Sequence, residues 1–287
     1  HHHHHHHQQQ QQQQKQPQPK QQQQQTAKTK GAASGSKAKG GAKKTKGGDG
    51  ATEDDGRSIT STFTITFTRL VLSSERRAAA LERAGWMGCT APLQPLVVER
   101  SQSAGIESAK GALQCDFANE YVGGGVMCCG NLQEELRFAT CPECLIANLI
   151  CPRLADEEAL LLSGVQQYAS YTGYGDSFEC SGARPDPSAS SATILAIDAR
   201  AYLGDDRRIK QFEAGELLRE LTKLWVGLSD EGWPDAGLAS GSGTDRGGEA
   251  PSASLPFATG NWGCGAFGGN LQLKALLQWM AASRAGR

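Results

Sequence analysis

Beyond its first seven residues the sequence has no histidine, so the remainder must manage without the side chain most often used for proton transfer near neutrality and for metal ligation. Acid–base chemistry therefore falls to carboxylates, thiols or tyrosines. No run of about eighteen apolar residues occurs and no secretory signal is visible, which argues against a membrane-spanning helix and for a soluble intracellular protein. A second CxxC to match Cys141-Pro142-Glu143-Cys144 is also missing. With no histidine to complete a tetrahedral set, these cysteines and the nearby Cys128, Cys129 and Cys151 read as small apolar side chains of a buried helical region, and no metal is expected. The nine cysteines, an odd number lying mostly inside apolar runs, suit a reducing compartment, nuclear or cytoplasmic.

The first fifty residues lack any plausible core. Residues 1–25 are a His/Gln/Pro run and residues 26–50 are rich in Lys, Gly and Ala; neither buries enough surface to offset its ordering entropy, so a disordered tail is expected over residues 1–58. The leading histidines read either as a tag or as an encoded repeat, and without an initiator Met the chain reads as an incomplete record. Up to Gly48 the tail has nine lysines and no acid; removing those charges from the overall −1 leaves about −10 on the rest. The lysine segment is open to two readings, a weak polyanion contact or a solvated linker. An acidic body does not draw in a polyanion by its overall field, so any phosphate it binds must be held by local backbone N–H groups.

Residues 59–287 remain for one large domain. Residues 59–67 (ITSTFTITF) alternate apolar and hydroxyl side chains and predict a half-buried strand. Residues 73–84 predict a helix capped by Ser73 or Ser74 and closed before Gly85, and residues 96–99 a short strand. Further strands are expected over 112–117, 159–162, 193–198 and 255–259, and helices over 212–228 and 271–282. The last is capped by Asn270, with Leu273, Leu276, Leu277 and Met280 turned inward. Residues 181–192 and 229–254 read as loops, the second as a mobile insertion. Strands alternating with helices predict an α/β layered fold with a mainly parallel sheet and ligands at the carboxyl ends of its strands.

The densest chemistry lies in residues 111–138, GALQCDFANEYVGGGVMCCGNLQEELRF. A strand leads into Gly123, Gly124 and Gly125, a backbone bare enough to lie against a ligand. Asn131 then predicts a helix cap with Glu134 as the acid of a capping box. Glu134 and Glu135 are either an ordinary acidic first turn or, in a desolvated cleft, a pair that cannot easily ionise together, so that one keeps its proton near neutrality. A second glycine loop, Asn261-Trp262-Gly263-Cys264-Gly265-Ala266-Phe267 followed by two more glycines, precedes the last helix and predicts a phosphate cradle; the two loops together could clamp one diphosphate. Neither loop contains a lysine, which excludes a Walker-type nucleotide site. Tyr168, Tyr171 and Tyr174 are more aromatic rings than one glycine-containing segment needs for a core.

The GGG, seven-residue spacer and QEE arrangement, preceded by Asp116-Phe117-Ala118-Asn119, resembles the signature of poly(ADP-ribose) glycohydrolases. The likeness extends through QYASYTGY at 167–174 and ATGNWGCGAFGG at 258–269, covering roughly residues 59–287. The resemblance implies a macrodomain-like three-layer α/β/α fold with a mixed, mainly parallel sheet. It also implies hydrolysis of the ribose–ribose bonds of poly(ADP-ribose), with the polymer and poly(ADP-ribosyl)ated proteins as partners, no cofactor and a monomeric chain. Glu135 would be the acid that protonates the departing ribose oxygen and then activates water, Glu134 an orienter of the ribose, and Asp116 and Asn119 its positioners, with Gln133 completing the motif. Ile106 and Glu107, in GIESAKGALQ, resemble an adenine-contacting segment, and Tyr171 and Tyr174 belong to the adenine side, Tyr174 packing on the base. In that family a further strand with an aromatic facing Tyr174 usually follows, so the catalytic domain is expected to be incomplete at its C-terminal end. The alternative reading is a macrodomain that holds ADP-ribose without cleaving it, or an inactive fragment of the family.

Overall fold

A computed structural model describes residues 63–73, 83–99, 105–229, 233 and 255–287. The chain divides into His1–Ser58 and Ile59–Arg287. The basic tail, most of the helix expected over 73–84 and nearly all of the 229–254 insertion lie outside the described residues.

The second unit contains seven described strands: β1 (Thr66–Val71), β2 (Leu113–Ala118), β3 (Glu158–Val165), β4 (Ala169–Thr172), β5 (Glu179–Ala183), β6 (Ala192–Asp198) and β7 (Phe257–Ala258). Its described helices are α1 (Arg83–Met87), α2 (Gln133–Thr140), α3 (Ala147–Ile150), α4 (Asp205–Lys210), α5 (Ala214–Leu228) and α6 (Leu271–Arg284). Five strands form one sheet in the order β1-β3-β6-β2-β7. It is mixed: β6, β2 and β7 run parallel, whereas β1 and β3, and β3 and β6, are antiparallel.

Alternate side chains of the central strands enter two cores. Ala159 and Leu161 of β3 and Leu195 and Ile197 of β6 join Leu221, Leu224 and Leu228 of α5 and Leu277 and Ala281 of α6 on one face. Leu160, Leu162, Ile194 and Ala196 join Phe138 of α2, Cys144 and Ala147 on the other. Covering both faces makes a three-layer α/β/α sandwich, and it is why these strands are near-continuous apolar runs rather than alternating ones. Because β6, β2 and β7 are parallel, the loops after all three leave from one end of the sheet, and the two glycine loops follow β2 and β7 there.

Several elements differ from their sequence expectation. Residues 59–62 of the expected first strand lie outside the described residues; the first described strand runs from Thr66 to Val71, because β3 offers partners from Ser163 back to Glu158 and Leu70 enters the core. The helix near Gly85 passes through that residue as α1, and 96–99 has no regular structure, with Val97 and Val98 exposed and no strand to pair with among the described residues. Leu276 of α6 faces outward, since Lys274, Leu277 and Ala281 occupy the buried side. A β4–β5 hairpin occupies part of the expected 181–192 loop; β5 is exposed along its whole length and carries no alternation to announce it.

Phe138 has no exposed surface and anchors the core beneath α2. Phe138→Ala is expected to cost roughly 3–5 kcal/mol. Denaturant melts of the two proteins check this; a loss near zero would mean that the α2 layer is not packed as described.

Candidate active site

The site is built where β2 ends. β7 pairs with only Leu113 and Gln114 of β2. Beyond it the Gln133 side chain takes over: its Oε1 accepts from Phe117 N (2.7 Å) and its Nε2 donates to Cys115 O (3.1 Å). This amide continues the ladder that β7 leaves off and pins the first residue of α2 to the strand.

The next two residues, Glu134 and Glu135, are held by the first glycine loop. Glu134 accepts from Gly123 N (2.5 Å) and Asn119 N (2.9 Å). Glu135 accepts from Gly125 N (2.9 Å) through Oε1 and from Leu132 N (3.0 Å) through Oε2. The capping acid is therefore Glu135 and the cap position Leu132, while Asn131 donates to Asp176 instead (2.8 Å). Gly124 has φ +49°, and a Cβ there would lie 2.6 Å from a Glu135 oxygen and 2.7 Å from a Glu134 oxygen. Its own N–H goes to Tyr121 O. The N–H groups of Gly123, Gly124 and Gly125 are thus occupied, so a two-loop diphosphate clamp does not describe this arrangement.

That loop, residues 260–269, rests on Trp262, whose indole is fully buried and donates to Ile197 O (2.9 Å). Gly263 has φ +71°, and a Cβ there would meet Ala199 Cβ at 2.5 Å. Beneath it lies the buried Lys274 ammonium, 4.5 Å from the Trp262 ring centroid and paired with Glu220. Asn270 caps α6, its Oδ1 accepting from Leu273 N (2.9 Å), so the start of a fourteen-residue helix follows directly.

Between the start of α2 and the second glycine loop is a cleft of about 1070 Å³. Asn119, Gln133, Glu134, Glu135, Tyr174, Asn261, Trp262, Gly263, Cys264, Gly265 and Phe267 line it. Ile106, Glu107, Asp116, the three glycines 123–125, Tyr171 and Ala266 do not. Tyr171 donates to Glu107 (3.1 Å), which faces Arg137 at 3.6 Å. Asp116 is sealed from solvent with both carboxylate oxygens lacking a hydrogen-bond partner. The wall made by Arg208, Ile209, Gln211 and Phe212, which faces the second glycine loop and the start of α6, was not legible in the sequence. Its one visible signal is Phe212 following a basic run. Gln211 fixes this wall by accepting from Asn270 N (2.6 Å).

Residues 83–287 match a family model described as poly(ADP-ribose) glycohydrolase, macro domain fold. The chain belongs to the poly(ADP-ribose) glycohydrolase family. The three-layer sandwich is that family's macro domain. A Caenorhabditis elegans protein named poly(ADP-ribose) glycohydrolase 1 is 32% identical over 196 residues, covering 63% of this chain and 23% of its own length. An Arabidopsis thaliana protein named probable poly(ADP-ribose) glycohydrolase 2 is 32% identical over 234 residues, covering 70% of this chain and 43% of its own. The chain thus spans less than half the length of these curated relatives.

Within the family motif the carboxyls are not equivalent. Burial pushes Glu134 well above the usual carboxylate range, and the neighbouring Asp116 adds to it against the opposing N–H groups of Gly123 and Asn119. Burial likewise raises Asp116 from its ordinary 3.8 to about 7, opposed by Arg137 and reinforced by Glu135 and Glu107. Folded Asp116 therefore holds a proton that the unfolded chain releases near pH 4. Its contribution to stability is complete below that pH and is lost as the pH rises through about 7. Asp116→Asn removes this titration and should melt with a flatter pH dependence between pH 5 and 8, the wild type losing several degrees relative to it. Parallel melting curves across that range would show that Asp116 ionises normally.

Proposed function

We propose that the cleft hydrolyses the ribose–ribose O-glycosidic bonds of poly(ADP-ribose) and releases ADP-ribose, acting on the polymer carried by modified proteins in the nucleus or cytoplasm. The observation that carries this reading is the pair of consecutive glutamates fixed by main-chain N–H groups on one wall of a cleft whose other wall is a glycine loop and a helix N-terminus. Glu135 lines the cleft with its carboxyl held in one orientation by Gly125 N and Leu132 N, and in this reading it protonates the departing ribose oxygen. The same group, now a carboxylate, can take a proton from the incoming water. Glycosidases that straddle the bond use two carboxyls about 5–9.5 Å apart on opposite faces. Consecutive residues at one helix start support the single-glutamate division instead, with Glu134 and Asn119 orienting the ribose.

The diphosphate fits the second loop, where the N–H groups of Gly265, Ala266 and Phe267 are not used by the bonds that close the loop, from Trp262, Cys264, Gly268 and Gly269, and where the α6 N-terminus also attracts an anion. Tyr174, half exposed at the rim, offers a face for adenine. Among the described residues lining the cleft Arg208 is the one cation, and the exposed Phe212 lies beside it, so this wall suits a phosphate and a base of the polymer.

Incubating the protein with purified polymer and separating soluble products tests the reading: monomeric ADP-ribose is expected, and tight binding with no product would make the protein a reader. Glu135→Gln should lower turnover roughly 10²- to 10⁴-fold while ADP-ribose still binds, because the amide keeps the shape and cannot give up the proton. Unchanged turnover would reject Glu135 as the acid. Arg208→Ala should weaken polymer capture about tenfold, equivalent to 1.4 kcal/mol, and reduce its salt dependence. An identical salt slope would remove Arg208 from the phosphate path.

A further inference from the structure

Cys128 and Cys129 are consecutive, exposed and outside the cleft lining. In an extended strand consecutive side chains point to opposite faces. Here the chain is wound into a turn, Cys128 N and Gly130 N both donating to Gly125 O at 2.9 and 3.0 Å, and the two sulfurs come within 3.4 Å. The Cys128 hydrogen bond, and then its charge, push the Cys129 thiol above its ordinary value, so the two sulfurs influence one another's protons. The remaining exposed cysteines, Cys89 and Cys180, are single, and Cys115, Cys141 and Cys144 are buried.

The turn that carries these thiols touches the Glu135 carboxylate at both ends. Gly125 N donates to Glu135 Oε1, and a Cβ on Gly130 would lie 2.4 Å from Glu135 Cγ and 2.5 Å from its Oε1. Residues 126–129 are the short bridge between those two contacts. A covalent change at Cys128 and Cys129 therefore acts on the backbone that holds Glu135.

We propose that Cys128 and Cys129 form a thiol modification site that closes to a disulfide by exchange with a low-molecular-weight disulfide such as oxidised glutathione, and that closure displaces the turn holding Glu135. The effect on turnover rests on the assignment of Glu135 above; the modification itself does not. One cysteine thiolate attacks a sulfur of the small disulfide, forming a mixed disulfide and expelling one small thiolate. The second cysteine gives its proton to solvent and displaces the other small thiolate. The pair has then lost two electrons and two protons, and the small disulfide has gained them as two thiols.

Consecutive Cα atoms lie about 3.8 Å apart across a trans peptide, whereas protein disulfides usually span at least about 4.4 Å. The intervening peptide must distort to accommodate the bond, and strained, exposed disulfides are the readily reduced ones. The bond is therefore expected only at oxidising thiol ratios, and it reverses in excess reductant.

The test equilibrates the full chain with glutathione over a range of reduced-to-oxidised ratios, blocks free thiols, and maps cysteine pairing by mass spectrometry. The expected result is a Cys128 to Cys129 disulfide that disappears with dithiothreitol, together with faster hydrogen exchange of amides 123–135. Turnover on polymer should fall at least fivefold and return on reduction. A Cys128→Ser, Cys129→Ser double variant should keep the reduced activity and lose the sensitivity, whereas Cys180→Ser should retain it. Recovery of both thiols unlinked at every ratio, or a double variant inhibited as strongly as wild type, would overturn the proposal. Should the reduced protein show no turnover at all, the glycohydrolase reading falls, and the pairing map with the exchange rates still decides the modification site.

Discussion

Much of the molecule depends on one set of hydrogen bonds, those by which the first glycine loop donates to two consecutive carboxylates. Gly123 serves Glu134 and Gly125 serves Glu135, so residues ten and eleven apart in sequence are locked together across the end of β2. That geometry requires a bare backbone at Gly124, where any side chain would collide with both glutamates. It also requires α2 to start at a fixed place, which Gln133 secures by bonding to β2 as though it were another strand. A first-turn acid is ordinarily stabilised by its own helix's free N–H groups and dipole. Here Glu134 is turned away from that role and buried, and burial raises its pKa despite two backbone donors.

A second constraint supports the opposite wall. Arg219 bonds to Asp198 at the end of β6 (2.5 Å) and to Glu220 (3.1 Å), Glu220 pairs with Lys274, and Lys223 faces Asp198 at 2.7 Å. These charges are almost fully buried, and removing one partner of such a set leaves the others uncompensated, a loss of roughly 3–5 kcal/mol. The set joins β6, α5 and α6 immediately under the second glycine loop. A Cβ on Gly269 would lie 2.9 Å from Lys274 Cε and one on Gly263 3.2 Å from its Nζ, so the loop backbone rests closely on the lysine. Rigidity in the loop comes from charge pairing below it, whereas rigidity in the first loop comes from the glutamates in front of it.

The fold was largely legible because its central strands are buried on both faces: runs such as ALLL and TILAID have no other economical place in a protein of this size. The glycine loops and the adjacent glutamates were legible through composition and spacing, and the motif pointed to the family. What could not be read was what depends on three-dimensional partners. Nothing local distinguishes Asn131, which bonds to Asp176, from a helix cap, nor Leu132 from a residue that merely precedes one. Lys223 and Lys274 look like surface residues of amphipathic helices until Asp198 and Glu220 are seen beside them. Phe212 and Arg208 enter the cleft wall only because α4 folds back over the second loop, where Gln211 meets Asn270.

The charge distribution then bears on the proposed binding of a polyanion by an acidic body. About ten net negative charges on residues beyond the tail, with Glu134 and Glu135 on the cleft wall, oppose the approach of a phosphate chain. A buried lysine under the second loop does not reverse this, since Glu220 cancels it at contact distance. Attraction must therefore come at short range, from loop and helix N–H groups that act inside a desolvated cleft, where their dipoles count for more than in water. Arg208 at the mouth adds charge where the cleft is still open to solvent. Under the proposed function such a site would discriminate by fit: a phosphate would contribute binding energy only once seated against the backbone, and the same seating would bring the linked ribose to the glutamates.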